Sequence, residues 1–245
     1  MCYHISIPEK RIISATYNWT KEPIDDVSYH HLSGFSFAEV PIITGEQPYK
    51  FLKANWGLIP FWVKSIDQTK KIRMGTLNAR ADTVFNLPSF RSIISKKRCL
   101  LIVDGFYEWH TVGKNKYPFY IYLKDSKAFS MGGIYDEWAD HSTGEIFTTC
   151  SIVTVPGNPL MSKIHNKMDE LGKPDPRMPL ILNMENEKAW IDPNLTKDGI
   201  DALMKPFEEN RMKAHTISKL ITSRKVDNNV PAVKEVFTYP EMERL

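Results

Sequence analysis

Five short runs rich in β-branched and aromatic residues occupy the middle of the sequence, and they constrain the fold more than any other feature. Each run is bounded by Gly, Pro or Asp, the residues that end strands and form turns. The predicted strands cover residues 53–59, 99–109, 119–123, 128–135 and 146–155. Together they predict one mixed or antiparallel sheet system.

Helical signals are fewer than strand signals. Thr196 is a suitable N-cap for a helix that Pro206 would end, and residues 183–190 form a second predicted helix. The pattern predicts an α+β fold with a β-rich core, either a curved sheet or an open barrel, flanked by helices. Because the 245 residues contain no low-complexity spacer, we expect a single domain over residues 1–245.

The three cysteines, Cys2, Cys99 and Cys150, are odd in number and widely spaced. That spacing argues against a disulfide framework and against a metal-binding knuckle, and it fits a reducing compartment. The chain shows no secretory signal and no apolar stretch of the roughly 18 to 20 residues that span a bilayer. We therefore expect a cytoplasmic protein without a membrane partner, metal or organic cofactor.

The formal net charge of +3 does not by itself predict a nucleic-acid ligand, but it leaves room for a basic face. The densest basic runs are residues 67–73 and 91–98. Runs of this kind are commonly solvated loop faces, so they permit DNA binding without indicating it.

Cys2 is the most informative single position. Removal of Met1, expected before so small a side chain, would leave an α-amine and a thiol on adjacent carbons, a 1,2-aminothiol. Such a group condenses with an aldehyde to an imine, onto which the thiolate closes as a thiazolidine. The α-amine has a pKa of about 7.7 to 8.0, against about 10.4 for lysine, so a useful neutral fraction exists at physiological pH. The alternative is an incidental cysteine.

Glu108 and His165 are the candidate acid–base residues. Glu108 lies between Tyr107 and Trp109, and aromatic neighbours raise the pKa of a carboxyl group towards neutrality. His165 follows a predicted strand and a Pro-Gly-Asn-Pro turn, a placement suited to proton transfer. The alternatives are a surface glutamate on an edge strand and an ordinary loop histidine.

Six short motifs in order, together with the Met1-Cys2 start, resemble the SRAP family, the SOS-response-associated peptidases or abasic-site processing proteins. The motifs are WGLIPFW (56–62), NARA (78–81), DGFYEW (104–109), IVT (152–154), IHN (164–166) and RMP (177–179), with a weaker echo in VDNNV (226–230). The resemblance implies a β-rich single domain with a positively charged channel for single-stranded DNA.

The resemblance also implies roles for individual residues. Cys2 would form a thiazolidine with the ring-opened sugar of an abasic site, and Asn78 would orient the terminal amine. Glu108 would carry protons, and His165 would assist ring opening and crosslink reversal.

Four further residues would contact the DNA. Arg80 would hold a phosphate beside the lesion, Thr154 and Arg177 would contact the backbone, and Trp62 would stack on a base or sugar.

Two departures from the family pattern concern positive charge. The usual MCGR start reads MCYH, which puts His4 where an arginine is expected. The compact HNRMP motif is opened into HNKMDELGKPDPRMP, so that Lys167 or Arg177 could take the arginine's role. We favour Arg177, because Met-Pro-Leu-Ile-Leu follows it.

The predicted function is that of an abasic-site sensor in the DNA damage response, which crosslinks to abasic sites in single-stranded DNA and associates with the nucleoid when bound. The enzyme class would be an autoprocessing peptidase, a hydrolase, with a lyase activity left open, and we expect a monomer. Two alternatives remain. One is a cysteine-dependent peptidase in which His165 activates Cys2, and the other is a noncovalent module that binds single-stranded DNA.

Overall fold

The computed structural model describes residues 2–21 and 27–242. The strands are β1 (His4–Ile7), β2 (Tyr29–Ser33), β3 (Glu39–Thr44), β4 (Leu52–Trp56), β5 (Asn78–Arg80), β6 (Arg98–Val103), β7 (Gly105–Val112), β8 (Asn115–Leu123), β9 (Phe129–Ala139), β10 (Ile146–Pro156), β11 (Arg177–Pro179), β12 (Ile181–Leu182) and β13 (Met212–Thr216). The helices are α1 (Lys10–Thr16), α2 (Ile66–Gly75), α3 (Pro159–Ile164), α4 (Met184–Ile191) and α5 (Lys197–Leu203).

Five strands close into a mixed barrel. In order around the ring they are β10, β4, β3, β6 and β9, and β9 pairs back onto β10. The β10–β4 pairing is parallel and the other four are antiparallel. The α+β fold with a β-rich barrel core is thereby confirmed, and its ring of pairings is closed. Because β10 is long, its C-terminal half also pairs with β5 and β11.

A second sheet, with the order β13-β8-β7-β1-β2, is antiparallel throughout. It differs from our prediction at residues 99–109, which form two strands instead of one. The chain leaves the barrel after Val103 and enters the second sheet at Gly105, with Asp104 between them. Both halves are almost wholly buried, so the apolar run gave no sign of the change of sheet.

The two predicted helices are present. Thr196 caps α5 through its hydroxyl oxygen, which accepts a hydrogen bond from the Gly199 N–H at 3.2 Å. Helix α4 covers the barrel with Trp190, whose buried indole N–H donates to the carbonyls of Cys99 at 3.1 Å and Gly133 at 3.2 Å. Packing on the barrel therefore stabilises this eight-residue helix.

The C-terminal end of the basic run 91–98 is not a free cationic surface. Arg98 is completely buried, and its guanidinium donates to the carbonyls of Ile94, Trp190 and Asp192. Lys97 pairs with Asp136 at 2.7 Å. This end of the run therefore stabilises the fold.

The three cysteines are buried and form no disulfide, as the sequence predicted. Over residues 2–21 and 27–242, no helix is long and apolar enough to cross a membrane.

Candidate active site

Strands β1 and β7 bring Cys2 close to Glu108. The two strands pair with His4 opposite Tyr107, so residue 2 lies at the end of β1 that points towards Glu108 and Trp109. The Cys2 side chain is 1% exposed, and its thiol donates weakly to the carbonyl oxygen of His4 at 3.8 Å. Burial, with a further contribution from the Glu108 carboxylate, raises the pKa of the Cys2 thiol to about 12. The thiol is therefore protonated at rest.

Glu108 is a buried carboxyl group with a shifted pKa. Its Oε1 accepts a hydrogen bond from the Trp109 N–H at 3.1 Å. Desolvation raises its pKa above the ordinary value for a glutamate. A raised pKa favours the acid form of a carboxyl group and so suits it to donate a proton and take one back.

His165 is held in one tautomer by the backbone. It directly follows α3, which begins at the Asn158 cap, and its Nδ1 accepts a hydrogen bond from the Arg177 N–H at 2.9 Å. In the neutral ring, Nε2 must then carry the proton. Burial lowers the pKa of His165 to about 4, so the ring is neutral at physiological pH. It therefore presents an N–H donor.

Glu108 and His165 line the same cavity, which has a volume of about 620 Å³. The wall also includes Tyr3 and His4, the residues that follow Cys2, and the two cations Lys116 and Lys167. The other lining residues are Trp109, Thr111, Asn166, Met168 and Thr222. An anionic, partly apolar ligand fits such a surface.

Asn78 and Thr154 lie on paired strands, β5 and β10. Both are buried, and within residues 2–21 and 27–242 neither the Asn78 amide oxygen and nitrogen nor the Thr154 hydroxyl has a hydrogen-bond partner. Buried polar atoms are nearly always bonded, so such exceptions suggest a missing partner. The Asn78 amide could hold an amine, and its role stays a prediction.

The two predicted phosphate-binding arginines belong to one charged cluster. Arg80 donates to both oxygens of Asp82, at 2.8 and 3.1 Å, and to Asp175 at 2.9 Å. Arg177 is buried, donates to the Thr154 carbonyl at 2.8 Å and lies 3.7 Å from Asp82. Arg80 is therefore the more accessible cation, with its side chain 38% exposed.

Trp62 is not part of the cavity wall. It lies in the turn between β4 and α2, 44% exposed, and its stacking role stays a prediction.

A hydrogen-bonded pair of histidines next to the cavity was missed by the sequence reasoning. His4 Nδ1 lies 2.8 Å from His31 Nε2, and His31 Nδ1 lies 3.0 Å from Asn228 Oδ1. From the sequence, His4 stood out only as the residue in place of an expected arginine. The VDNNV motif, which contains Asn228, was the available signal.

Comparison with known proteins shows which family the chain belongs to. Residues 2–224 match the family model described as SOS response associated peptidase (SRAP). The chain belongs to the SRAP family. The resemblance seen in the six motifs is thereby confirmed.

Proteins similar to this SRAP protein include two abasic site processing proteins and one solved structure. The abasic site processing protein YoqW of Bacillus subtilis (strain 168) is 40% identical over 185 residues, which are 75% of each chain. The abasic site processing protein HMCES of Gallus gallus is 31% identical over 199 residues, covering 72% of this chain and 54% of that protein. A crystal structure of a protein from Bacteroides thetaiotaomicron matches with a TM-score of 0.86 and 40% identity, over 97% of this chain and 100% of the other.

Proposed function

We propose that this SRAP protein processes abasic sites, and that Cys2, after loss of Met1, crosslinks to the abasic aldehyde in single-stranded DNA as a thiazolidine. The observation that carries the proposal is the Glu108 carboxyl group, which lines the cavity together with His165 and helps to raise the pKa of the buried Cys2 thiol. An abasic site offers no base edge to read, so its aldehyde is its distinctive chemical feature.

The reaction begins with opening of the sugar ring. The His165 N–H is suited to donate a hydrogen bond to the ring oxygen while the Glu108 carboxyl group relays the C1′ hydroxyl proton to that oxygen, which leaves a C1′ aldehyde and a C4′ hydroxyl. The free amine of Cys2 then attacks the C1′ aldehyde and gives a carbinolamine.

Glu108 provides the next two proton transfers. Its acid form protonates the carbinolamine hydroxyl, which leaves as water while the nitrogen lone pair forms the protonated imine. The resulting carboxylate takes the thiol proton, and the thiolate sulfur attacks C1′ of the protonated imine, whose nitrogen takes back the electron pair of the double bond and keeps its hydrogen. Overall, amine, thiol and aldehyde become a thiazolidine and one water.

The high pKa of the thiol supports aldehyde capture over peptide hydrolysis. Cysteine peptidases need a thiolate at neutral pH, which a nearby cation or helix N-terminus stabilises. Cys2 instead has a carboxyl neighbour and a pKa raised to about 12. The Cys2 thiol need not lose its proton until the imine has formed, and at that stage a base next to the thiol is sufficient.

DNA binding would involve the cations around the cavity. Lys116 and Lys167 line it, and Arg80 is accessible on the neighbouring charged cluster. Such contacts grip phosphates without reading sequence, with an affinity that falls as salt rises. Arg177 and Thr154 are buried, so we propose that they support this surface through their mutual hydrogen bond.

The test incubates the protein with single-stranded DNA that carries one abasic site. We expect a heat-stable adduct on denaturing gels, with an intact mass equal to protein plus DNA less one water. Cys2→Ala should abolish the adduct, and so should acetylation of the terminal amine, which leaves the thiol free.

The controls separate the three candidate functions. Cys150→Ala is a matched control, since it also removes a buried thiol. Peptidase activity that survives the blocked amine would favour the peptidase. Retention of abasic DNA that is equal for Cys2→Ala and the wild type would favour the noncovalent module and exclude the crosslink.

A further inference from the structure

A chain of hydrogen bonds runs from the cavity wall to the C-terminal part of the molecule. His4 and His31 are brought together by the pairing of β1 with β2. Their rings are nearly parallel, at 17°, with centroids 5.1 Å apart and a 2.8 Å contact between His4 Nδ1 and His31 Nε2. His31 Nδ1 in turn lies 3.0 Å from Asn228 Oδ1.

Asn228 determines where the protons of this chain lie. Its Nδ2 donates to the carbonyls of Ile221 at 3.0 Å and Ser223 at 3.3 Å, so the atom that faces His31 is the carbonyl oxygen. An amide oxygen only accepts, and His31 Nδ1 must therefore carry a hydrogen.

The same logic extends to His4. Burial lowers the pKa of both rings, that of His4 to about 3, and so favours the neutral form of each. The Nε2 of neutral His31 then holds a lone pair and accepts from His4 Nδ1–H. The remaining ring nitrogen of His4, Nε2, is left as an acceptor.

His4 Nε2 is available to a ligand. The His4 side chain lines the cavity that Glu108, His165, Lys116 and Lys167 share. Its ring is held by the edge-to-face contact with Trp109, at 4.8 Å between centroids. Across residues 2–21 and 27–242, Nδ1 is the ring atom of His4 that forms a hydrogen bond.

We propose that His4 Nε2 accepts a hydrogen bond from the hydroxyl of the abasic sugar, and that His31 and Asn228 are positioning residues that hold it in this state. The inference rests on the proposed function. An abasic deoxyribose within a strand has a single hydroxyl, at C1′ in the closed ring and at C4′ in the open aldehyde. The flanking phosphodiesters have acceptor oxygens only, so neutral His4 bonds the sugar and not the phosphates.

The test compares noncovalent binding of two single-stranded oligonucleotides of the same sequence. One carries a tetrahydrofuran residue, which has no hydroxyl, and the other a borohydride-reduced abasic residue, which has hydroxyls but no aldehyde to crosslink. We expect wild-type protein to bind the reduced site about two- to tenfold more tightly, the range that one neutral hydrogen bond provides.

Two variants test whether the hydrogen-bonded chain of His4, His31 and Asn228 causes this preference for the reduced site. His4→Phe should bring the ratio of the two affinities to about one. Asn228→Leu should do the same while the His4 ring remains in place, because His31 is then free to change tautomer. His30→Gln is the matched control, because His30 is a neighbouring histidine outside the hydrogen-bonded chain. It should keep the wild-type ratio of the two affinities.

Three outcomes would overturn the inference. The first two are equal wild-type affinities for the two sites and a preference for the reduced site that both variants keep. The third is an equal, salt-dependent loss of affinity for both sites in His4→Phe, which would indicate a phosphate contact. The crosslinking assay on unreduced abasic DNA runs in parallel. An adduct without the preference overturns this inference alone, whereas a preference without an adduct overturns the proposed crosslink.

Discussion

Replacement of Asp175 by Asn tests whether Arg80 holds a phosphate. Asp175 lies near the end of loop 167–176, the segment that separates the two halves of the family's HNRMP motif, and its Oδ2 is 2.9 Å from Arg80 Nη1. A phosphate that approaches Arg80 must displace or share this carboxylate. Asparagine has nearly the same shape and keeps the hydrogen bond from the residue 175 N–H to the Lys167 carbonyl, at 3.0 Å.

The expected gain in DNA affinity is small. The Arg80 side chain is 38% exposed, and ion pairs of such exposure contribute about 0.2 to 1 kcal/mol. Removal of the competing carboxylate should therefore tighten binding about 1.4- to fivefold. Arg80 keeps its two hydrogen bonds to Asp82, which hold the guanidinium in place.

The assay is fluorescence anisotropy on single-stranded DNA with a tetrahydrofuran site, at low and high salt. Glu170→Gln is the matched control, because it removes the same charge from an exposed position in the same loop. Asp175→Asn should bind more tightly than Glu170→Gln at low salt, and the two should converge as salt rises. Equal affinities at low salt, or weaker binding by Asp175→Asn, would refute a phosphate contact by Arg80.

Three further predictions follow from buried groups. Glu108→Gln should slow adduct formation about 10²- to 10⁴-fold in gel time courses, the usual contribution of a general acid or base; an unchanged rate would contradict its role as proton carrier. Burial lowers the pKa of His165 to about 4, so between about pH 6.5 and pH 4 the unfolded chain binds a proton at this histidine that the folded state does not bind. Stability should therefore fall from pH 6.5 towards pH 4, measured as urea midpoints, and less steeply in His165→Gln; parallel curves would disprove this assignment. Arg98→Met leaves two buried carbonyls and one part-buried carbonyl without their donor; at about 1 to 3 kcal/mol for each buried one, the unfolding free energy should drop by about 2 kcal/mol or more. If the variant were as stable as the wild type but bound DNA more weakly, Arg98 would belong to the DNA-binding surface instead.

Local patterns in the sequence were sufficient for much of the fold and for the reactive residues. Alternation of β-branched and aromatic residues between turn residues located the main strands, since strand formation depends on side chains and punctuation a few positions apart. The Thr196 cap is equally local. Cys2, Glu108 and His165 could be proposed because their chemistry depends on residue type and immediate neighbours.

Contacts between distant segments decided the rest. The two halves of residues 99–109 are both buried and apolar, so only the tertiary structure shows that they belong to different sheets. Arg98 looked like part of a basic surface until three carbonyls, two of them on the segment around α4, enclosed it. His4 and Asn228 share one hydrogen-bonded chain although 224 positions separate them, because strand pairing places His4 beside His31 and a loop near the C-terminus places Asn228 against His31. No sequence window relates residues so far apart.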